Sequence, residues 1–335
     1  MDLKTTYMGL ELSSPIVPSA SPLSQSVEKV RKMEDCGAGA VVMWSLFEEQ
    51  IEHEAQELDY YMQYGTERFA ESLSYFPQHE DFKTGPDEYL KHIGELKSAV
   101  SMPVIASLNG VSSGGWTSYA KKLQQAGADA IELNIYFIPT SPDVTPVQVD
   151  EAYVSIVQAV KSAVSIPVAV KIGPFFSSPA NLLSRLDDAG ADALVLFNRF
   201  YQPTLDVDNL AVVPRLTLSR SEDNLLPLRW IAIMFQKVQA SLAATTGVIT
   251  AEDVAKMILA GADVTQMAAA LLRQGIDHIT EVTKGLERIM DKHGYESVEQ
   301  MKGVLSQKNC AEPGAFERAN YMKALNVFGP TATFE

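Results

Sequence analysis

The chain has 335 residues, of which 46% are apolar and 21% charged, a composition typical of folded globular proteins rather than disordered ones. Its 42 acidic and 27 basic residues give a formal net charge of -15, which disfavours roles at nucleic acids or anionic membrane surfaces. Its apolar runs are far shorter than the ~20 residues of a membrane span, and its first residues do not have the basic and apolar pattern of a secretory signal. With 2 cysteines, a disulfide framework is excluded. We therefore expect a cytoplasmic protein.

A Gly-Ala-Xaa-Ala/Val pattern recurs four times along the chain, each time after a helix-like stretch and before a strand-like one. The copies begin at Gly37, Gly127, Gly190 and Gly261. Because glycine tolerates the left-handed conformation that ends many helices, each copy predicts the end of a helix and the start of a strand. Two Ser-Xaa-Pro-Val segments, at 101–104 and 165–168, open further apolar strands.

Eight short segments, mostly apolar, are predicted as strands, with helices between most of them. In chain order they are Pro15–Ser19, Ala40–Ser45, Val104–Leu108, Ala130–Asn134, Val168–Ile172, Ala193–Asn198, Ala240–Thr245 and Val264–Met267. Strands buried on both faces have this continuous apolar pattern. Eight βα units are typical of a (βα)8 TIM barrel, and the alternative is an open doubly wound sheet, although the dinucleotide-binding GxGxxG motif does not follow the first strand.

We therefore predict a single (βα)8 barrel domain over residues 1–335, with three additions to the minimal barrel. A long insertion after strand two, residues 47–90, has an acidic helical part and an aromatic, turn-rich part like a lid, and contains His79 as a candidate acid or base. A long loop follows strand six at 201–228. Residues 306–335 form a C-terminal extension.

The active site of this fold lies at the C-terminal ends of the strands. Those ends carry three amides and one amine here, namely Asn109, Asn134, Asn198 and Lys171. Amides both donate and accept hydrogen bonds, so converging asparagines can bind an amide-rich heterocycle such as a flavin or a pyrimidine. A lysine at a strand end can neutralise a developing anion.

These segments resemble the dihydroorotate dehydrogenase family, whose members are FMN-containing (βα)8 barrels, over roughly residues 3–303. The matching motifs are Glu132-Leu133-Asn134 at the fourth strand, Val170-Lys171 followed by Pro174 at the fifth, and Asn198 at the sixth. The resemblance implies an FMN-dependent oxidoreductase of pyrimidine metabolism. Such an enzyme would transfer a hydride between a small cyclic or amide-bearing substrate and the flavin.

The resemblance and the strand ends together give a set of expected site residues. The expected cofactor-binding residues are Ala20, Ser21, Ser45, Asn109, Asn134, Lys171, Asn198, Thr245, Thr246 and Gly247, and the expected catalytic residues are Lys171, Asn134 and Tyr136. The family binds the FMN phosphate with glycine-rich turns after strands seven and eight. We expect a phosphate at the corresponding turns, particularly at the N-terminus of the helix starting near Thr250. A metal site is not expected, because the 5 histidines are scattered.

The phosphate turns differ from the family pattern, reading Ala244-Thr245-Thr246-Gly247 and Ala268-Ala269-Ala270, so that only Gly247 of the expected glycines remains. The chain departs from the family pattern at two single positions as well. The family's catalytic Cys or Ser aligns with Phe137, which cannot take up a proton, and the adjacent Tyr136 has a phenol whose usual pKa near ~10 makes it a weak base. The family lysine after strand two aligns with Trp44, which either packs in the core or stacks on a ring.

Two alternatives to an active oxidoreductase therefore stay open. One is a barrel that binds flavin or a phosphorylated metabolite but has lost or altered its catalysis. The other is a phosphosugar lyase or isomerase in which Lys171 forms a Schiff base. The expected partners are a small-molecule substrate and a second copy of the chain in a homodimer, without nucleic acid or membrane.

Overall fold

The computed structural model describes residues 1–47, 85–110, 113–199, 202–213 and 215–317. Residues 48–84 of the expected lid, His79 among them, and residues 318–335 of the expected extension lie outside this part of the chain. Residues 86–90, the last of the expected lid, form the start of a helix that runs to Ala99.

The described residues form twelve strands. They are β1 (Thr5–Tyr7), β2 (Leu10–Leu12), β3 (Ile16–Pro18), β4 (Val41–Phe47), β5 (Val104–Gly110), β6 (Ala130–Ile135), β7 (Val168–Ile172), β8 (Ala193–Leu196), β9 (Thr204–Asp206), β10 (Ala211–Val213), β11 (Ser241–Ala244) and β12 (Val264–Met267). Eight of them make one parallel sheet in the order β3-β12-β11-β8-β7-β6-β5-β4. Each of these eight overlaps one predicted strand, which confirms the (βα)8 barrel.

The ring of strands closes between β3 and β4, at Gly39. The backbone N–H of Gly39 donates to the carbonyl oxygen of Ile16 at 2.9 Å. A Cβ atom at this position would lie 2.0 Å from the carbonyl oxygen of Ser14. Only glycine therefore lets the two segments approach closely enough to bring the first and second barrel strands together.

Helices separate the barrel strands and cover the outside of the ring. In the described residues they are α1 (Val27–Asp35), α2 (Pro86–Ala99), α3 (Ser113–Gln125), α4 (Pro146–Ala163), α5 (Pro179–Asp188), α6 (Leu225–Met234), α7 (Ala251–Ala260), α8 (Ala269–Gln274), α9 (His278–His293) and α10 (Val298–Met301). The four repeated glycines follow α1, α3, α5 and α7 with φ between 97° and 122°. The predicted helix ends are thereby confirmed.

The aspartates of the Gly-Ala-Asp repeat have a role that the sequence did not reveal. Asp129 accepts the backbone N–H of Val104 at 2.7 Å, and Asp192 accepts that of Val168 at the same distance. Each carboxylate thus binds the first residue of the neighbouring strand. Lys97 lies 2.7 Å from Asp129 and completes an ion pair there. These contacts fix the register of neighbouring strands at their N-terminal ends. The register in turn determines which side chains lie next to each other at the C-terminal ends.

A short antiparallel hairpin, β1–β2, closes the end of the barrel at which the strands begin. The Thr5 hydroxyl donates to the carbonyl oxygen of Asp263 at 2.9 Å, and the backbone N–H of Met8 donates to the Ser241 hydroxyl at 3.1 Å. Both partners lie at the N-terminal ends of barrel strands. A second hairpin, β9–β10, lies in the long loop after strand six. With three residues per strand, neither hairpin gave a recognisable sequence pattern.

Candidate active site

A buried polar cluster lies inside the barrel, below the C-terminal ends of the strands. The Lys171 ammonium lies 3.3 Å from the Ser19 hydroxyl, 3.3 Å from Oε1 of Glu132 and 3.4 Å from Oε1 of Gln266. Lys171 is 7% exposed and Glu132 1%. Nε2 of Gln266 also donates to the second carboxylate oxygen of Glu132 at 2.5 Å. The four side chains come from three barrel strands and the residue following β3, and they form one hydrogen-bonded unit.

The strand register places the predicted amides beside this cluster. Glu132 and Asn134 are two residues apart on β6, so they face the same side of the sheet. Asn134 is the register partner of Lys171 on β7 and of Asn109 on β5. Nδ2 of Asn198 donates to Oδ1 of Asn134 at 2.7 Å. A continuous polar surface therefore runs from the buried ion pair to the barrel mouth.

A cavity of about 180 Å³ opens onto this surface and is called the central cavity below. Six of the expected cofactor-binding residues line it, namely Ala20, Lys171, Asn198, Thr245, Thr246 and Gly247. Ser19, Ser219, Gln266 and Arg199 also line it. The structure thus brings strand ends from both halves of the chain to one pocket.

The other expected residues lie beside the central cavity rather than in its wall. The Ser45 hydroxyl lies 2.9 Å from that of Ser107. The backbone carbonyl of Ser21 accepts from the Ser24 hydroxyl at 2.9 Å. Tyr136 follows β6, and its backbone N–H donates to the carbonyl oxygen of Gly110 at 3.3 Å.

The turn after β11 is held tightly against the preceding loop. Gly247 has φ of 73°, and a Cβ atom there would lie 2.5 Å from the backbone nitrogen of Asn224. Its N–H donates to the Ser219 hydroxyl at 3.2 Å. The Thr246 hydroxyl donates to the carbonyl oxygen of Phe197 at 2.9 Å. That donor is consequently committed within the protein, while the turn itself faces the central cavity.

The N-terminus of α7, where we expected a phosphate, is capped by a carboxylate from its own first turn. Oδ2 of Asp253 accepts the backbone N–H groups of Ile249 at 3.1 Å and Thr250 at 2.9 Å, and also the Ser221 hydroxyl at 2.7 Å. The Asp253 carboxylate thus satisfies the N–H groups of Ile249 and Thr250 and places a negative charge at this helix end, which disfavours an anion there. Of the expected phosphate turns, those that line the cavity are 245–248 and 268–269.

The two departures from the family pattern lie away from the central cavity. The Trp44 ring packs against Tyr89 at 4.8 Å and against His92 at 5.1 Å, measured between ring centroids, in agreement with the core-packing interpretation. Phe137 lines a different cavity of about 440 Å³, together with Phe175 and Phe176. Phe137, which we expected at the family's base position, thus lies in an apolar wall.

Sequence reasoning missed the partners of Lys171. Glu132, Gln266 and Ser19 were visible as strand-end residues, yet only the lysine was assigned a role. The alternation of Glu132 with Asn134 was a usable signal, because two polar residues on the interior face of an apolar strand require partners inside the barrel. Gln266 stands in the same way within the apolar strand β12.

Within the described residues, we find neither a helix long and apolar enough to cross a membrane nor a group of three or more side chains that could hold a metal ion.

Comparisons with known proteins show the family of the chain. The family model described as dihydroorotate dehydrogenase matches residues 82–290. The chain is 26% identical over 311 residues to the dihydroorotate dehydrogenase B (NAD(+)) catalytic subunit of Thermoplasma acidophilum, with 90% of this chain and 98% of that protein covered. It is 24% identical over 323 residues to the NAD-dependent dihydropyrimidine dehydrogenase subunit PreA of Escherichia coli, with 90% and 76% covered.

Proposed function

Because the chain belongs to the dihydroorotate dehydrogenase family, we propose that it is an FMN-dependent oxidoreductase acting on a small cyclic, amide-bearing substrate. The observation that carries this proposal is the buried Lys171–Glu132 pair beside a cavity lined by Asn198 and the 245–247 turn. We also propose that the protein forms a homodimer and acts in pyrimidine metabolism, as expected from the sequence.

The residues around the central cavity fit FMN by their chemistry. A flavin ring presents amide-like donors and acceptors, which the ammonium of Lys171 and the amides of Asn134 and Asn198 complement. The phosphate end would be held by the 245–248 turn and by residues 268–269. Arg199 also lines the cavity, and its guanidinium is paired with Asp223 at 3.6 Å.

When bound, FMN supplies a site that takes up or gives back a hydride. The protein's own contribution is electrostatic and positional. Ser19, Glu132 and Gln266 hold the Lys171 ammonium in one place, so that its charge and hydrogen bonds need no reorganisation when negative charge develops nearby. The Asn134–Asn198 hydrogen bond orients two amides towards the substrate.

The Lys171–Glu132 pair argues against the Schiff-base alternative. A Schiff-base lysine must be free to attack a carbonyl carbon, whereas the Lys171 nitrogen is held by hydrogen bonds to Ser19, Glu132 and Gln266 at 3.3, 3.3 and 3.4 Å. For proton transfer, Phe137 offers no basic atom, and we propose Tyr136, the adjacent residue at the end of β6, as the group that holds the proton.

Purified protein tests the proposal directly. We expect a yellow protein that releases FMN rather than FAD on denaturation, because the candidate phosphate site among the described residues is one pair of turns and the sequence lacks a dinucleotide-binding motif. Bleaching of the flavin band by a dihydro cyclic amide, which would lose a hydride and a proton as the flavin is reduced, would support turnover. A colourless preparation whose melting temperature does not respond to added FMN would contradict the proposal, and borohydride trapping of a sugar phosphate would favour the lyase alternative.

A further inference from the structure

The cavity of about 440 Å³, called the aromatic cavity here, lies between the loops that follow β6, β7 and β8. Phe137 comes from the first loop, Phe175 and Phe176 from the second, and Gln202 from the third. None of the described residues lining it is charged. The Phe176 ring stands edge-on to that of Tyr153 at 5.2 Å, so part of the wall is packed and preformed.

The polar atoms in this wall are few and partly committed. Tyr153 is 1% exposed, and its hydroxyl donates to the carbonyl oxygen of Ile135 at 3.3 Å. Burial raises the pKa of this phenol to about 12, so it stays neutral at physiological pH. By contrast, Phe175 is 72% exposed and Ile138 49% exposed. These two apolar side chains face solvent at the rim, where a ligand would cover them.

An intermediate cavity of about 270 Å³ lies between the aromatic cavity and the central cavity. Phe175 and Gln202 line both the aromatic and the intermediate cavity. Asn198 and Arg199 line both the intermediate and the central cavity. These three adjacent cavities are called the groove below: it is polar at Asn198, carries the Arg199–Asp223 ion pair at 3.6 Å in its middle part, and is apolar at Phe137.

We propose that this groove selects substrates that carry an uncharged, ring-sized apolar group on the cyclic amide, with the amide at Asn198 and the apolar group in the aromatic cavity. This inference rests on the proposed function. An apolar cavity of ~150 Å³ already accepts benzene, so the aromatic cavity has ample room. A carboxylate in the same position would be desolvated without a positive partner in the wall, which is unfavourable. The groove thus favours aryl- or alkyl-substituted cyclic amides over a carboxylated pyrimidine.

The test uses FMN-loaded protein and calorimetric titration with uracil, 5-benzyluracil, 6-benzyluracil and orotate. Loading is measured first from the flavin spectrum. We expect one of the benzyl compounds to bind about 10- to 100-fold more tightly than uracil, the range for burying one aromatic group, and orotate to gain nothing over uracil.

Two variants test whether the higher affinity for a benzyl compound comes from the aromatic cavity. Phe175→Ala removes a largely exposed ring and should reduce the benzyl preference about 3- to 10-fold while leaving uracil affinity unchanged. Ile138→Asp places a charge at the rim and should abolish the preference. Leu210→Ala is the matched control, because Leu210 is 89% exposed and lines none of the three cavities.

The outcomes separate the two proposals. Protein that takes up no FMN would overturn the proposed function and this inference with it. Protein that takes up FMN but binds both benzyl compounds no more tightly than uracil would overturn the inference alone. So would equal losses for uracil and benzyluracil in Phe175→Ala, which would indicate a structural role for that ring.

Discussion

Removing one partner of the Lys171–Glu132 pair should destabilise the protein strongly, whereas removing both should not. The two charges lie 3.3 Å apart, with side chains 9% and 1% exposed. At that distance Coulomb's law gives roughly 5 kcal/mol with an effective dielectric constant of about 20. Glu132→Gln would leave the ammonium buried without a counter-charge, and we expect a loss of about 3–5 kcal/mol in the free energy of unfolding. For a chain of 335 residues this corresponds to a fall of roughly 4–7 °C in melting temperature.

The double variant Glu132→Gln/Lys171→Met separates charge pairing from packing. It keeps similar side-chain volumes and lets Gln266 donate to the new amide, so we expect it to lose only about 1 kcal/mol, well below the sum of the single variants. Urea titration of the FMN-free protein measures the free energy of unfolding of Glu132→Gln, of Lys171→Met and of the double variant. Glu252→Gln is the control, because the Glu252–Lys256 pair is 71% and 48% exposed and should contribute under about 0.5 kcal/mol. Additive losses in the double variant, or a single-variant loss no larger than the control's, would refute the reasoning.

Three further predictions follow from individual residues. Gly247→Ala should lower the free energy of unfolding by several times the roughly 1–2 kcal/mol expected for Gly275→Ala, because Gly275 also has a positive φ but has open space around it. Only Gly247→Ala should weaken FMN binding in a fluorescence titration. The pKa of Tyr153 is raised from 10.0 to about 12 in the folded state. The contribution of its neutral phenol to the free energy of unfolding is therefore complete below pH 10.0 and is lost as the pH rises to about 12. Alkaline denaturation of Tyr153→Phe should lack this part of the pH dependence. Wild-type protein should oxidise dihydroorotate poorly. Phe137→Cys should recover part of the roughly 10²–10⁴-fold rate enhancement that a positioned base contributes. Robust wild-type turnover that is lost in Tyr136→Phe would instead identify Tyr136 as the base.

The barrel itself was determined by local sequence. Continuous apolar runs specified eight buried strands, and each repeated glycine specified where a helix stops, because a positive φ is a property of one residue and its immediate neighbours. The position of the active-site end followed from the same pattern, since parallel strands bring their C-terminal residues to one mouth. Lys171, Asn134 and Asn198 could therefore be assigned to one site before any coordinates were known.

What surrounds those residues was decided only by the tertiary structure. The partners of Lys171 are 39, 95 and 152 residues away along the chain, and which of many strand-end polar groups meet depends on strand order and register. The same holds for Asp253, whose carboxylate closes the N-terminus of α7 with help from Ser221 in a loop 32 residues earlier. The aromatic cavity joins three loops with no common motif. Local patterns fix backbone conformation, but the balance of charge and the shape of a pocket arise from contacts between distant segments, which exist only once the barrel has closed.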